Sequence, residues 1–285
     1  MFKRQRSGSV LCTSCGVLVG VNDETCYNCG RRNPALWGFA PALRALGADL
    51  GFVPFVIGTC IIVYGLTLVF SGGIVGMQGL ALLAPRQGAL IVFGASGAEP
   101  VFGLHRWWTV LSAGWLHAGL LHIFMNMLAF RQLAPGVIDM FGPGRTMVIY
   151  VAGSAFGFTL SSIAGVPGFP ALPFLHGSQL TVGASASIAA LIGAILAYGH
   201  RTGSTTARSY ASTYITMLVL YGFIFPGIDN YAHGGGLGGG YLVARLLDPM
   251  KPERGDHLML GIACMALSIV SIVVSVLHIV FLVRN

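Results

Sequence analysis

Apolar residues along this chain are grouped into long runs that suit membrane-spanning helices. A run of roughly 20 apolar residues is long enough to cross the hydrocarbon core of a bilayer as a helix. Seven runs approach this length, near 52–71, 114–133, 145–164, 183–199, 211–227, 233–247 and 257–282. The sixth is short and rich in glycine, so hydropathy alone identifies it only weakly. The pattern predicts an all-α polytopic membrane protein.

Composition and charge support this prediction and add an orientation. The chain is 55% hydrophobic and only 9% charged, whereas a soluble domain carries about 25% charged residues. With the N-terminus inside, 13 of the 16 basic residues fall on the inner side, in agreement with the positive-inside rule. The net charge of +7 is then mainly a topology signal, and no compact basic surface is left for nucleic acid.

The N-terminal segment is basic and polar and has no adjacent apolar core, so no cleavable signal peptide is visible. We therefore expect a multi-pass protein with a cytosolic N-terminus, in a plasma membrane of bacterial type.

Four cysteines near the N-terminus predict a metal site. They form two Cys-x-x-Cys-Gly motifs separated by ten residues, at Cys12, Cys15, Cys26 and Cys29. Four thiolates at this spacing can surround one zinc ion tetrahedrally, and the glycine after each pair permits a tight turn. Redox or disulfide pairs are the alternative, which a reducing cytosol disfavours. We expect a structural zinc ribbon that orders the N-terminus, senses metal or binds a protein partner.

Five polar side chains lie in or at the mouth of the apolar runs. His117, His122 and Asn126 belong to the second run, Ser185 opens the fourth, and His233 opens the sixth. These three spans all run from outside to inside in the predicted orientation, so the five side chains share one depth in the outer part of the bilayer. Polar groups there are costly unless paired, and they mark a functional site. A serine, a histidine and hydrogen-bond donors are the parts of a nucleophilic hydrolase.

Each of these residues also has a structural interpretation. A serine at a helix N-terminus lies beside unpaired N–H groups that can stabilise an oxyanion. Taken alone, Ser185 would be interpreted as a small residue at a helix contact, and only its partners favour a catalytic role. His122 and Asn126 share a helical face, either as oxyanion donors or as a structural hydrogen-bonded pair. His233 is the candidate base, and the glycine-rich run at 234–240 would let two backbones approach closely.

The acidic residues exclude several other chemistries. None lies in the middle of a span: the nine are Asp23, Glu24, Asp49, Glu99, Asp139, Asp229, Asp248, Glu253 and Asp256. A paired-aspartate intramembrane protease and a zinc protease of the HExxH type are therefore disfavoured. A metal site built from the histidines lacks a carboxylate or thiolate ligand. Asp229 lies in the loop just before His233, so a serine–histidine dyad is favoured over a triad.

The order HxxxxHxxxN, then GxS, then AHxxG in successive outward-opening spans resembles the rhomboid family of intramembrane serine proteases. The resemblance implies a rhomboid-like six-helix bundle plus one extra C-terminal transmembrane helix, preceded here by the small cytosolic zinc ribbon. We expect four parts: a zinc ribbon at 1–34, a linker with an interfacial segment at 35–50, a catalytic core at 51–247, and the additional helix at 248–285.

The resemblance also implies roles for the polar residues. Ser185 would be the nucleophile, His233 the base, His122 and Asn126 the oxyanion hole, and His117 a supporting residue. The substrates would be transmembrane proteins of the lipid bilayer, cleaved near their membrane-spanning segments, and the chemistry would need no cofactor.

Three positions depart from the pattern of the family that the chain resembles. Ala186 stands where a glycine usually follows the serine, Ala189 stands where an aromatic residue often lies, and Thr109 follows Trp108 where the family usually has arginine. A second serine, Ser96, lies in a Gly-Ala-Ser-Gly segment that matches the family motif well, but it precedes the histidine motif and leads into a loop.

Three functions compete. An active protease is favoured, because a pure binder would need none of the four catalytic-type side chains. A catalytically inactive rhomboid-like protein that binds membrane-protein clients is the alternative. A transporter or channel is disfavoured, because the spans contain no buried Asp, Glu or Lys and no obvious inverted repeat.

Overall fold

The N-terminal module is a small two-stranded ribbon. The computed structural model describes residues 4–13, 15–44, 47, 49–72, 82–170, 177–225 and 227–284. Strands β1 (Ser9–Leu11) and β2 (Leu18–Gly20) pair antiparallel, with Val10 opposite Val19. Both valines are buried, in a cluster too small to stabilise an independent domain without a further cross-link. A 3-10 turn (Leu36–Gly38) and a short helix α1 (Ala40–Arg44) follow, while positions 45, 46 and 48 of the predicted linker lie outside the described residues.

The rest of the described chain is helical. The seven long helices are α2 (Phe52–Phe70), α5 (Leu120–Phe141), α6 (Pro143–Ala164), α7 (Ser185–Thr202), α8 (Thr205–Ile224), α9 (Asn230–Leu246) and α10 (Gly255–Arg284). Each of these seven helices overlaps one predicted span. The segment between α2 and α5 contains the short helices α3 (Gln87–Phe93) and α4 (Thr109–Ser112), a π-helical turn (Glu99–Gly103) and a 3-10 turn (Ala113–Trp115).

Not every long helix is apolar enough to span a membrane by composition alone. Within the described ranges, three helices are long and apolar enough: Phe52–Phe70, Pro143–Ala164 and Gly255–Phe281. A fourth span is formed if the helical pair Thr109–Trp115 and Leu120–Phe141, which is bent by 92°, is counted as one. Helix α9 falls short because it has only 17 residues, α7 because it ends in His200, Arg201 and Thr202, and α8 because it carries many hydroxyl groups.

The predicted start of the second span at 114 was wrong. The helical structure is interrupted at 116–119, and the continuous helix α5 begins only at Leu120. It continues past Pro135 to Phe141. His117 therefore lies in the break before the helix, whereas His122 and Asn126 lie in its first two turns.

Helix α9 occupies the centre of the bundle between α6 and α7, and its glycines allow the contact. A Cβ added to Gly236 would lie 2.2 Å from the Ala186 carbonyl oxygen, and one added to Gly240 would lie 2.1 Å from that of Ala190. Because only hydrogen fits at these points, the two backbones touch along a continuous line. Such small-residue contacts are the usual means of close helix packing in membranes.

The C-terminal helix α10 is attached to the bundle at both ends. At one end, Trp108 Nε1–H donates to Ser275 Oγ (3.0 Å), and the buried Arg106 guanidinium donates to the Ser275 carbonyl (3.0 Å). At the other, the buried Arg145 guanidinium donates to the carbonyls of Lys251 (2.9 Å) and Pro252 (3.0 Å), just before α10 begins. The extra helix is thus an integral part of the bundle.

The glycine contact between α7 and α9 generates a testable prediction. We expect Gly236→Ala to lower the free energy of unfolding by about 1–3 kcal/mol, the usual cost of overpacking a close contact. Gly238→Ala on the same helix is the matched control, since a Cβ there meets nothing within 4 Å. Thermal unfolding in detergent measures both variants. Equal melting temperatures for the two would contradict the packing described here.

Candidate active site and metal centre

Ser185 is the first residue of α7 and is held there by the segment that precedes it. The Ser96 and Thr181 backbones exchange two hydrogen bonds (3.1 and 2.7 Å), and the Gly183 N–H donates to the Ala113 carbonyl (3.0 Å). The N-cap residue, Ala184, offers no side chain to the first turn. First-turn N–H groups of a helix lack intrahelical partners, so those beside Ser185 remain available to an anionic ligand.

Ser96 is a buried structural residue in a different place. Its side chain is fully buried, and its Oγ lies 3.4 Å from Ser162 Oγ and 3.4 Å from Thr109 Oγ1. Gly97 has φ +126°, and a Cβ there would lie 2.4 Å from the Gln179 carbonyl oxygen. The Gly-Ala-Ser-Gly segment therefore supports the segment that leads to Ser185, and Ser96 lines neither of the cavities at Ser185.

Two side-chain donors converge beside Ser185. His122 Nδ1 accepts the Ala118 N–H (3.3 Å), so in the neutral ring the proton is on Nε2. A Cβ added to Gly183 would lie 2.7 Å from His122 Nε2 and 3.6 Å from Asn126 Nδ2. Asn126 Nδ2 is buried and has no hydrogen-bond partner among the described residues. The geometry thus directs two N–H groups to the turn that precedes Ser185.

His117 packs behind His122. The two rings are edge to face with centroids 5.2 Å apart, and His117 is fully buried. Neither of its ring nitrogens has a partner in the described part of the chain, and it does not line the cavities at Ser185. Its position is that of a support for the His122 ring.

His233 lies in the first turn of α9 and is largely buried. Its Nδ1 has no partner among the described side chains. The nearby Asp229 carboxylate is engaged elsewhere: one oxygen accepts the Ala232 N–H (2.9 Å), and the other accepts the Ser161 hydroxyl (2.5 Å). Asp229 therefore caps α9 and fixes its start.

The role of Asp229 could have been inferred from the sequence. An aspartate immediately before a helix that begins with a polar residue is a common N-cap signal. Its second partner, Ser161, could not have been found in this way, because it comes from α6, 68 positions away.

Ser185, His122 and His233 are shared by two adjoining cavities. One, of about 220 Å³, opens toward Thr181 and Phe225. The other, of about 280 Å³, runs between α5 and α8 and is mostly apolar; it is lined by Met125, Asn126, Ala129, Tyr214 and Met217 among others. Helix α8 is mostly exposed and packs chiefly on α7. The polar groups therefore lie at the inner end of an apolar passage between two helices.

The residues that depart from the family pattern lie outside these cavities. Ala186 and Ala189 are fully buried, and neither lines the passage; Ala186 lies against Gly157 of α6 and Gly236 of α9. Thr109 is buried and contacts Ser96. None of the three side chains would meet a ligand at Ser185.

The four N-terminal cysteines could hold a metal ion. Their sulfur atoms all lie within 4.8 Å of one another, with Cys12–Cys29 at 3.8 Å and Cys15–Cys26 at 3.6 Å. Four sulfurs at about 2.3 Å from a tetrahedral zinc are separated by about 3.8 Å, so the set fits that ion. The distances are far longer than a disulfide bond of about 2.05 Å.

The turns of the two cysteine motifs have the form that a metal site requires. Gly16 donates its N–H to the Cys12 carbonyl (3.0 Å) and has φ +75°. Gly30 does the same with Cys26 (2.9 Å) at φ +69°. The Val17 N–H and the Asn28 side chain lower the pKa of the Cys15 thiol to about 6, which favours the thiolate that a metal binds.

The amino-acid sequence of this chain is similar to that of known proteins. The Rhomboid domain family model matches residues 104–249 of the chain. Rhomboid protease GluP of Bacillus subtilis (strain 168) is 28% identical over 206 residues, which are 71% of this chain and 36% of that protein. YdcA of the same organism is 30% identical over 151 residues, 52% of this chain and 71% of its own length. This chain therefore covers about a third of GluP.

One relative is named as inactive. Inactive RHOMBOID-like protein 8 of Arabidopsis thaliana is 28% identical over 160 residues, which are 54% of this chain and 42% of that protein. The level of sequence identity therefore does not distinguish proteases from inactive members of the family. That distinction depends on the residues of the site.

The cysteine cluster leads to a prediction about metal content. We expect the purified wild-type chain to hold about one metal ion and the Cys12→Ser/Cys15→Ser variant to lose it, because two of four ligands are removed. Elemental analysis by mass spectrometry measures the metal. Cys60→Ser/Cys264→Ser is the matched control, since these cysteines lie in α2 and α10 away from the cluster. Equal metal content in both variants would contradict the assignment.

Proposed function

This chain belongs to the rhomboid family, and on that premise we propose that it is an intramembrane serine endopeptidase that uses a Ser185–His233 dyad. The observation that carries the proposal is the pair of donors beside Ser185. Asn126 Nδ2 is buried and has no hydrogen-bond partner among the described residues, and it lies near Gly183, as does His122 Nε2. Leaving such a donor unpaired in a membrane interior is costly, so a ligand oxygen that arrives during the reaction accounts for it.

The reaction follows from these positions. His233 accepts the proton of Ser185 Oγ as the oxygen attacks the substrate carbonyl carbon. The carbonyl oxygen becomes an oxyanion and accepts hydrogen bonds from His122, from Asn126 and from the first-turn N–H groups of α7. His233 then gives its proton to the leaving amine, and an acyl-enzyme remains on Ser185. Water hydrolyses this ester by the same steps, with His233 again as the base.

The start of α9 explains why we propose a serine–histidine dyad and not a triad with Asp229. Asp229 is committed to the helix cap and to Ser161, so it does not orient the His233 ring through Nδ1. The ring is held instead by burial between α6 and α7, where glycine contacts leave α9 little freedom.

The substrates are transmembrane proteins that enter from the lipid. The passage between α5 and α8 is lined mainly by apolar side chains and ends at Ser185. Because α8 packs mainly on α7, it can move away from α5 without disrupting the core. We assign the N-terminus to the cytosolic side of the membrane on the distribution of basic residues. A plasma membrane of bacterial type stays a prediction from the sequence.

The metal of the N-terminal ribbon is zinc in this proposal. In the described part of the chain the donor set consists of four cysteines, and a set of four thiolates is typical of structural zinc. The zinc cross-links a module whose apolar cluster is too small to fold alone, and it takes no part in peptide cleavage.

An inactive client-binding protein is the second candidate, favoured by the existence of a relative named as inactive. Such a protein would use the passage between α5 and α8 for binding and would have no use for a nucleophilic Ser185. Reactivity of this serine therefore separates the two functions.

A comparison of two serines tests the proposal. We expect Ser185→Ala to reduce both cleavage of a tethered transmembrane substrate and labelling by a fluorophosphonate by at least about a thousandfold, because the nucleophile is lost. Ser96→Ala is the matched control and should keep both activities, since Ser96 is buried away from the cavity. Labelling needs no knowledge of the natural substrate. An unlabelled wild-type protein would support the client-binding alternative, and loss in Ser96→Ala alone would overturn the assignment.

A pair of substitutions at Asp229 tests whether its role is capping. Asparagine caps helices as well as aspartate does, whereas alanine does not. We expect Asp229→Asn to retain most cleavage activity and Asp229→Ala to lower the free energy of unfolding by about 1 kcal/mol, with a matching loss of activity. Thermal unfolding and cleavage are measured together. If Asp229→Asn abolished cleavage without loss of stability, the carboxylate would be acting on His233 as the third member of a triad.

A further inference from the structure

A basic cleft lies between the N-terminal ribbon and the loop that joins α9 to α10. Its volume is about 680 Å³. Basic side chains come from both walls: Arg31 and Arg32 from the ribbon, and Lys251 and Arg254 from the loop. Because these residues lie more than 200 positions apart, the cleft exists only when the ribbon is docked on the helical bundle.

The docking contact places one guanidinium against the start of α10. A Cβ added to Gly255 would lie 1.9 Å from Arg31 Nη1, so glycine is needed for the arginine to lie there. Arg31 Nε is buried and has no hydrogen-bond partner in the described part of the chain. A buried donor of this kind is costly to leave without an acceptor.

The positive charge of the cleft is only partly compensated. Arg254 pairs with Asp256 (3.1 Å), and Lys251 contacts Asp248 (3.5 Å), which does not line the cleft. Cys15 and Cys29 also line it, and a tetrathiolate zinc adds a charge of about −2. The lining remains net positive after the metal centre and Asp256 are counted.

The cleft lies where a membrane surface would be. Met259 lines it and belongs to the first turns of α10, a helix apolar enough to cross a bilayer. Met259 and the nearby Met250 are 74% and 66% exposed. Basic groups above exposed apolar side chains match the order of headgroup and acyl chains in a lipid leaflet.

We propose that this cleft binds the phosphate headgroup of an anionic phospholipid and so ties the ribbon to the membrane surface. Arginine forks suit phosphate oxygens, and Arg31 Nε gains the acceptor that it otherwise lacks. A nucleic acid would require a longer basic track than this enclosed cleft offers. A free phosphate ion shares the headgroup chemistry but would leave the exposed methionines without a partner.

Lipid retention by the intact, metal-loaded protein tests the proposal. The protein is placed in nanodiscs of mixed phosphatidylglycerol and phosphatidylcholine, and native mass spectrometry counts the lipids it retains. We expect wild type to retain phosphatidylglycerol preferentially and Arg32→Gln/Arg254→Gln to weaken that retention about thirtyfold, the effect of losing two basic groups near an anionic surface. Both side chains are exposed, so the fold should persist.

The matched control is Arg131→Gln/Arg208→Gln, which removes the same charge from exposed positions outside the cleft. We expect it to retain phosphatidylglycerol as wild type does. Equal weakening in both double variants would overturn the proposal, as would wild-type retention in Arg32→Gln/Arg254→Gln. Displacement of the lipid by inorganic phosphate at an equal concentration would show instead that the site binds a soluble anion. Metal content, measured on every sample, confirms that the ribbon is folded.

Discussion

The contact between the backbones of α7 and α9 is the constraint on which the site geometry depends. Ser185 begins one helix and His233 lies in the first turn of the other, so the separation of the helices sets the separation of the two side chains. Any Cβ at Gly236 would force them apart near that end. The membrane interior provides no water to fill such a gap or to satisfy the polar groups that it would expose. The glycine-rich segment is therefore a condition of the site as well as of the fold.

The sequence alone identified the long helices and the polar residues that meet at the cavity, because membrane spans and costly polar groups leave strong local signals. It did not locate the break at 116–119, since that segment contains no proline and lies inside one long, mainly apolar run. The hydrogen-bonded pair of Ser96 and Thr181 was equally invisible, because it joins segments 85 positions apart. Hydropathy identifies α9 least well, because glycines occupy the positions at which this helix packs closely and they contribute little apolar side-chain surface.

The basic residues are a second example of a spatial arrangement that is not visible in the sequence. Read along the chain, the basic residues indicate only which side of the membrane each loop occupies. In the folded protein, Arg31 and Arg32 of the ribbon line one cleft together with Lys251 and Arg254 of the α9–α10 loop. Arg145 helps to shape it, because its hydrogen bonds to Lys251 and Pro252 fix the loop that forms one wall. The same basic residues therefore support both the predicted orientation and the proposed headgroup site.

The departure from the family pattern at Ala186 is explained by a pair of residues rather than by that position alone. Ala186 replaces the glycine that usually follows the serine, and its methyl group points away from the cavity toward α6. There it meets Gly157, where an added Cβ would lie 3.1 Å from the methyl and 2.5 Å from the Ala232 carbonyl oxygen. The small residue that the contact requires is thus supplied by α6. Since the methyl is accommodated between helices, the space beside Ser185 stays open to a substrate, and the substitution gives no steric reason for an inactive enzyme.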